Sequence, residues 1–130
     1  RVINLIIHMS KKLKILVVED EASLSKVLSA KLQKENFLVT IAANGTEAVK
    51  ELESDKFDLI LLDIIMPKMD GFAFLQKIRE DKNETPAIIV SNLGQEEDRG
   101  VAKKYNVMPY FVKSDSNLQS IVSYIQENFL

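Results

Sequence analysis

Apolar residues fall in two rhythms along this chain. Five short runs are rich in β-branched residues and bounded by polar ones: Ile15-Leu16-Val17-Val18, Leu38-Val39-Thr40-Ile41, Leu59-Ile60-Leu61-Leu62, Ala87-Ile88-Ile89-Val90 and Tyr110-Phe111-Val112. Runs of this kind suit strands buried on both faces. Between them the spacing turns helical. Leu24, Val27, Leu28 and Leu32 recur at i, i+3, i+4 and i+8, with Lys and Gln filling the other face. Ala48, Val49 and Leu52 repeat the stripe after Asn44-Gly45-Thr46, and Phe72, Leu75 and Ile78 do so after Asp70-Gly71. Val101 and Ala102 mark a weaker fourth helix; Leu118, Ile121, Val122, Ile125 and Phe129 mark the last and clearest. Five strands alternating with five helices predict parallel pairing through right-handed crossovers, hence an open α/β sheet in one domain.

Residues 1–9 stand apart from this pattern. Val2-Ile3-Asn4-Leu5-Ile6-Ile7 is apolar, yet far shorter than the ~20 residues that span a bilayer. It has no positive cluster before it and no small-residue cleavage site after it, unlike a signal peptide. Met9-Ser10-Lys11-Lys12 reads as a natural start, so residues 1–9 are assigned to an upstream extension and 10–130 to the domain. The alternative is an extra strand or helix that packs on a partner.

Composition narrows the chemistry. The 130 residues are 46% hydrophobic and 28% charged, as in a globular chain that builds its own core. Seventeen basic against nineteen acidic residues leave a net charge of −2, with no electrostatic footprint for nucleic acid or an anionic membrane. Cysteine is absent, which excludes disulfides, thiolate catalysis and cysteine-held metals. His8 is the sole histidine, so neither a histidine-rich metal site nor a Ser-His-Asp triad can be built.

In open α/β sheets function gathers at the carboxyl ends of the strands. Here the first run leads into Glu19-Asp20-Glu21, the third into Asp63, the fourth into Ser91 and the fifth into Lys113, while the second ends in Ala42-Ala43, as an outer strand would. Each residue has a structural reading of its own. Asp20 can cap the first helix, Ser91 can bond turn backbone, and Lys113 can be a solvated charge. Asp63 resists such a reading, because the next helix cannot begin before Pro67. Crowded together, Glu19, Asp20 and Asp63 repel one another. A hard divalent cation relieves that conflict, and oxygen-only ligands favour Mg²⁺ over zinc. Ser91 and Lys113 then offer a hydroxyl and a positive charge to a phosphoryl group, and Asp63 is the available nucleophile.

These residues carry a resemblance. From about Leu13 onward the chain resembles a response-regulator receiver domain of two-component signalling. The resemblance lies in Val17-Val18-Glu19-Asp20-Glu21, Leu62-Asp63-Ile64-Ile65-Met66-Pro67-Lys68-Met69-Asp70-Gly71, Ile88-Ile89-Val90-Ser91 and Tyr110-Phe111-Val112-Lys113. It implies a flavodoxin-like (βα)5 fold of order 2-1-3-4-5 with helices on both faces. It also implies Asp63 as phosphoacceptor, and Mg²⁺ (Mn²⁺ as alternative) on Glu19, Asp20, Asp63 and the backbone carbonyl of Ile65. By the same resemblance Ser91 is the switch hydroxyl, Lys113 the salt-bridging lysine and Tyr110 the switch aromatic.

The implied role is a cytoplasmic switch, not a conventional enzyme. A sensor histidine kinase or phosphotransfer protein supplies the phosphoryl group, and the surface of the fourth helix, fifth strand and fifth helix then docks a partner, output domain or second copy. No nucleic acid is bound directly and no membrane is involved.

Three features depart from the family pattern. Ser114 stands where a cis proline is usual, which leaves the Lys113–Ser114 bond open between cis and trans. Asn92 replaces a very small residue beside Ser91, where it narrows access or donates a hydrogen bond. Ile65 and Leu93 are apolar where the family tunes water attack, which points to slow autodephosphorylation. The rival readings are an interaction module without the chemistry, a flavin carrier and an aspartate-based phosphohydrolase. Glu19-Asp20-Glu21 would repel a flavin phosphate, and Ile65 occupies the place of the phosphohydrolase's second acid.

Overall fold

Each apolar run is separated from the next by a stretch that returns the chain to the same end of the sheet, and parallel pairing follows. The computed structural model describes residues 12–62, 71–91, 110–112 and 118–129. Its strands are β1 (Lys14–Val18), β2 (Leu38–Ala42), β3 (Leu59–Leu62), β4 (Ala87–Ser91) and β5 (Tyr110–Val112). All pairings are parallel, and the order across the sheet is β2-β1-β3-β4-β5, the expected flavodoxin-like arrangement. The described helices are α1 (Ala22–Lys34), α2 (Gly45–Ser54), α3 (Gly71–Glu80) and α4 (Leu118–Phe129). The helix expected around Val101 and Ala102 lies outside the described residues, as do residues 1–9. No described helix is long and apolar enough to cross a membrane.

Alternating residues of the central strands feed two cores. Leu16, Val18, Ile60, Leu62 and Ile89 face α2 and α3, where Ala48, Phe74, Leu75 and Ile78 close the layer. Ile15, Val17, Leu59, Leu61 and Ile88 face α1 and α4, packing on Leu28, Leu32, Ile121, Val122 and Ile125. Every one of these strand residues is at most 1% exposed, which is why β1, β3 and β4 read as unbroken apolar runs.

Two expectations are corrected. Val27 does not belong to the buried stripe of α1; it is 54% exposed, and Ser25, Leu28, Ser29 and Leu32 are buried instead. Small serines let the helix approach the sheet closely, and the Ser25 hydroxyl is satisfied by donating to the Ala22 carbonyl at 3.0 Å. Burial on both faces fails at β2, where Leu38 and Ile41 are 47% and 40% exposed because the strand lies at the sheet edge.

The helix ends at α1 and α3 share one motif. Asn36 and Lys82 take left-handed φ values of 70° and 67°. Phe37 N–H reaches back to the Leu32 carbonyl at 3.0 Å, and Asn83 N–H to that of Ile78 at 2.8 Å, the long-range bond of a Schellman cap.

Candidate functional site

Parallel strands deliver whatever follows them to one edge of the sheet. Val18 pairs with Leu62, Leu62 with Ile89, and Ile89 with Tyr110. Glu19 therefore follows β1 at the level at which Asp63 follows Leu62 in the chain, on strands about 4.8 Å apart. Ser91 and Val112, the last residues of β4 and β5, pair with each other two positions further on. The backbone thus aligns the strand ends on which Glu19, Asp63, Ser91 and Lys113 were expected.

Of the expected site residues, Glu19 and Asp20 have described side chains. Glu19 is 5% exposed. Its N–H donates to the Ala42 carbonyl at 3.1 Å, and its Oε2 accepts from the Glu21 N–H at 3.3 Å. Asp20 is exposed at the mouth of the edge. The capping alternative for Asp20 fails: Glu21 occupies the N-cap of α1, and no side chain caps it. Glu19 also lines a half-open, mainly apolar pocket of about 90 Å³, together with Val17, Leu28, Leu61, Leu118 and Ile121. A carboxylate between such a lining and solvent acts in a reduced dielectric, where its field on a bound cation is stronger than in water.

Asp63, Ile65, Asn92, Leu93, Lys113 and Ser114 lie outside the described residues, and the side chains of Ser91 and Tyr110 are likewise not described. Among the described residues no three acids, histidines or cysteines form a metal-binding group. The described pair, Glu19 and Asp20, is nonetheless of the right kind for a hard cation. Both are oxygen donors, one held by backbone bonds and one open to solvent.

One further group lies at the start of α2, just past the Ala42 carbonyl that accepts the Glu19 N–H. Asn44 caps α2, its Oδ1 accepting from the Glu47 N–H at 2.9 Å, while its amide donates to Glu47 Oε2 at 3.1 Å. Glu47 stands on no strand end, so the search along those ends passes it by. The signal that finds it is Asn-x-x-Glu at a helix start, the pattern of a capping box.

A family model described as the response regulator receiver domain matches residues 15–126. Among curated proteins, the transcriptional regulatory protein ResD of Bacillus subtilis is 40% identical over 100 residues, covering 77% of this chain and 41% of its own. A probable transcriptional regulator, ycf27, of Guillardia theta is 37% identical over 107 residues, covering 82% and 42%. Among solved structures, the chemotaxis protein CheY4 of Vibrio cholerae superposes with a TM-score of 0.83 at 28% identity, covering 90% of this chain and 98% of that one. The response regulator TrrA of Thermotoga maritima, solved with Mg²⁺ and BeF, gives 0.78 at 30% identity over 90% and 98%. The chain spans 41–42% of the length of these curated relatives.

Proposed function

The chain belongs to the response regulator receiver family, and from that membership we propose that it is a phosphorylation-dependent switch with Asp63 as the phosphoacceptor. The observation that supports this reading is the level register of β1 and β3, whose paired last residues, Val18 and Leu62, are followed in sequence by Glu19-Asp20 and by Asp63. An Asp63 oxygen attacks the phosphorus of a kinase phosphohistidine; the N–P bond breaks and the imidazole leaves. Glu19, Asp20, Asp63 and the Ile65 carbonyl would hold Mg²⁺ (or Mn²⁺), which when bound neutralises charge on the transferred group. Lys113 offers its ammonium to the phosphoryl oxygens, and the Ser91 hydroxyl donates to them. The new charge draws Ser91 inward and Tyr110 follows, biasing one of two packings of the surface around β5.

The donor is a sensor histidine kinase or a phosphotransfer protein, since the sole histidine of this chain is His8 in the extension. The curated relatives are transcriptional regulators more than twice the matched length, so an output domain or partner is the proposed recipient of the signal, in the cytoplasm. A second copy docking on the same surface is the other proposed outcome. The receiver itself turns over no external substrate and, at net charge −2, binds no nucleic acid directly.

Incubation with a small acyl phosphate and Mg²⁺ tests the reading by intact mass. The wild-type chain gains one phosphoryl group and Asp63→Asn gains none. Equal gain by both would move the acceptor elsewhere, and no gain by wild type would leave an interaction module that has lost the chemistry.

A further inference from the structure

The corner between β2 and α2 reaches the acid pair through the backbone. The Glu19 N–H donates to the Ala42 carbonyl at 3.1 Å, tying the first acid to the end of the edge strand. One residue on, the Ala43 N–H donates to Glu47 Oε1 at 3.4 Å. Asn44, 6% exposed, holds the other carboxylate oxygen of Glu47 at 3.1 Å and its N–H at 2.9 Å. Glu47 thus closes a ring of bonds around Ala43, although its own side chain is exposed. β2 has a strand neighbour on one side alone, so its carboxyl end relies on this corner for restraint.

We propose that Glu47 is a positioning residue for cation binding at Glu19 and Asp20, acting through Asn44, Ala43 and the Ala42 carbonyl. The inference rests on the receiver reading of Glu19 and Asp20 given above. Mg²⁺ demands near-ideal octahedral geometry, so a ligand whose backbone drifts loses affinity before it loses its fold. Glu47 does not approach the cation. It holds the turn whose carbonyl holds the backbone of Glu19, as outer-shell partners hold ligands elsewhere.

The test is a Mg²⁺ titration of the full 130-residue chain, read from the amide shifts of Glu19 and Asp20. Four proteins are compared: wild type, Glu47→Ala, Glu47→Gln and Leu52→Ala. Glu47→Ala is expected to raise the dissociation constant about three- to tenfold, the lower end for outer-shell partners. Glu47→Gln raises it less than Glu47→Ala does, because its amide oxygen still accepts the Ala43 N–H although its amide nitrogen can no longer accept from the Asn44 amide. Leu52→Ala destabilises α2 from its packed face and leaves Mg²⁺ affinity unchanged.

If Glu47→Gln weakens binding as much as Glu47→Ala, long-range charge is responsible and the positioning role is overturned. If Leu52→Ala weakens it equally, loss of stability is responsible and the role is again overturned. Equal constants in all four proteins remove this inference alone, whereas a wild type that binds no Mg²⁺ removes the receiver reading beneath it.

Discussion

Glu19→Gln should make the metal-free protein more stable while abolishing its response to Mg²⁺. Glu19 is 5% exposed at the end of β1, which ends level with β3, and the receiver reading proposed above puts Asp63 in the same cation site. On that reading the two carboxylates share one site and stand on the order of 6 Å apart. At an effective dielectric of about 20, two like charges at that distance repel by about 3 kcal/mol. Salt screens part of this, leaving about 1–2 kcal/mol. Glutamine removes the charge but keeps an oxygen to accept the Glu21 N–H, so that hydrogen bond is retained. The midpoint of thermal unfolding should therefore rise by about 3–8 °C without metal.

Wild type, by contrast, should gain about 1.4 kcal/mol from Mg²⁺ at ten times its dissociation constant, and the variant almost nothing. Urea unfolding with and without Mg²⁺ measures both quantities. A variant less stable than wild type without metal would refute the charge-crowding argument. A variant stabilised by Mg²⁺ as much as wild type would refute Glu19 as a ligand.

Three further outcomes are expected. Lys82 sits at φ 67° with a Cβ that opposes that conformation, so Lys82→Gly should raise stability by about 0.5–1 kcal/mol, seen as a higher urea midpoint at unchanged slope. On α1, Val27→Ala should change stability by less than about 0.5 kcal/mol, since Val27 is 54% exposed. Leu28→Ala, one residue along at 5% exposure, should cost about 2–4 kcal/mol; equal losses by denaturant titration would contradict the observed face of the helix. If the receiver reading holds, apolar Ile65 and Leu93 at the positions where the family tunes water attack should let a phosphoryl group on Asp63 persist for minutes or longer. Ile65→Asn should shorten its lifetime on the order of tenfold by supplying a group that orients water, and a wild-type half-life of seconds would count against the idea.

What the sequence announces and what it withholds divide along physical lines. β1, β3 and β4 are legible because burial on both faces leaves no room for polar residues, and their bounds match the apolar runs to within a residue. α4 is legible because its buried residues, Ile121, Val122 and Ile125, fall on one helical stripe with Leu118 and Phe129 packed beside them. α1 is displaced by one position because two of its four buried residues are serines, and a serine chosen for close approach looks like a surface residue in the sequence. Exposure at Leu38 and Ile41 is withheld because it depends on strand order, and the bland Ala42-Ala43 end of the run marks an outer strand without saying which of its residues meet solvent. The candidate site divides the same way. Glu19 and Asp20 declare themselves because carboxylates directly after an apolar strand are costly without a partner. Glu47 does not, because in sequence it is one more acid in the first turn of a helix. Its importance arises from a bond to Ala43, a neighbouring bond from Glu19 to Ala42, and the parallel pairing that makes the two corners adjacent. Strand-end chemistry is thus written residue by residue, whereas the support that aims it is written in hydrogen bonds between segments more than twenty residues apart. Substitutions at such supports should change how well the site works before they change whether the chain folds.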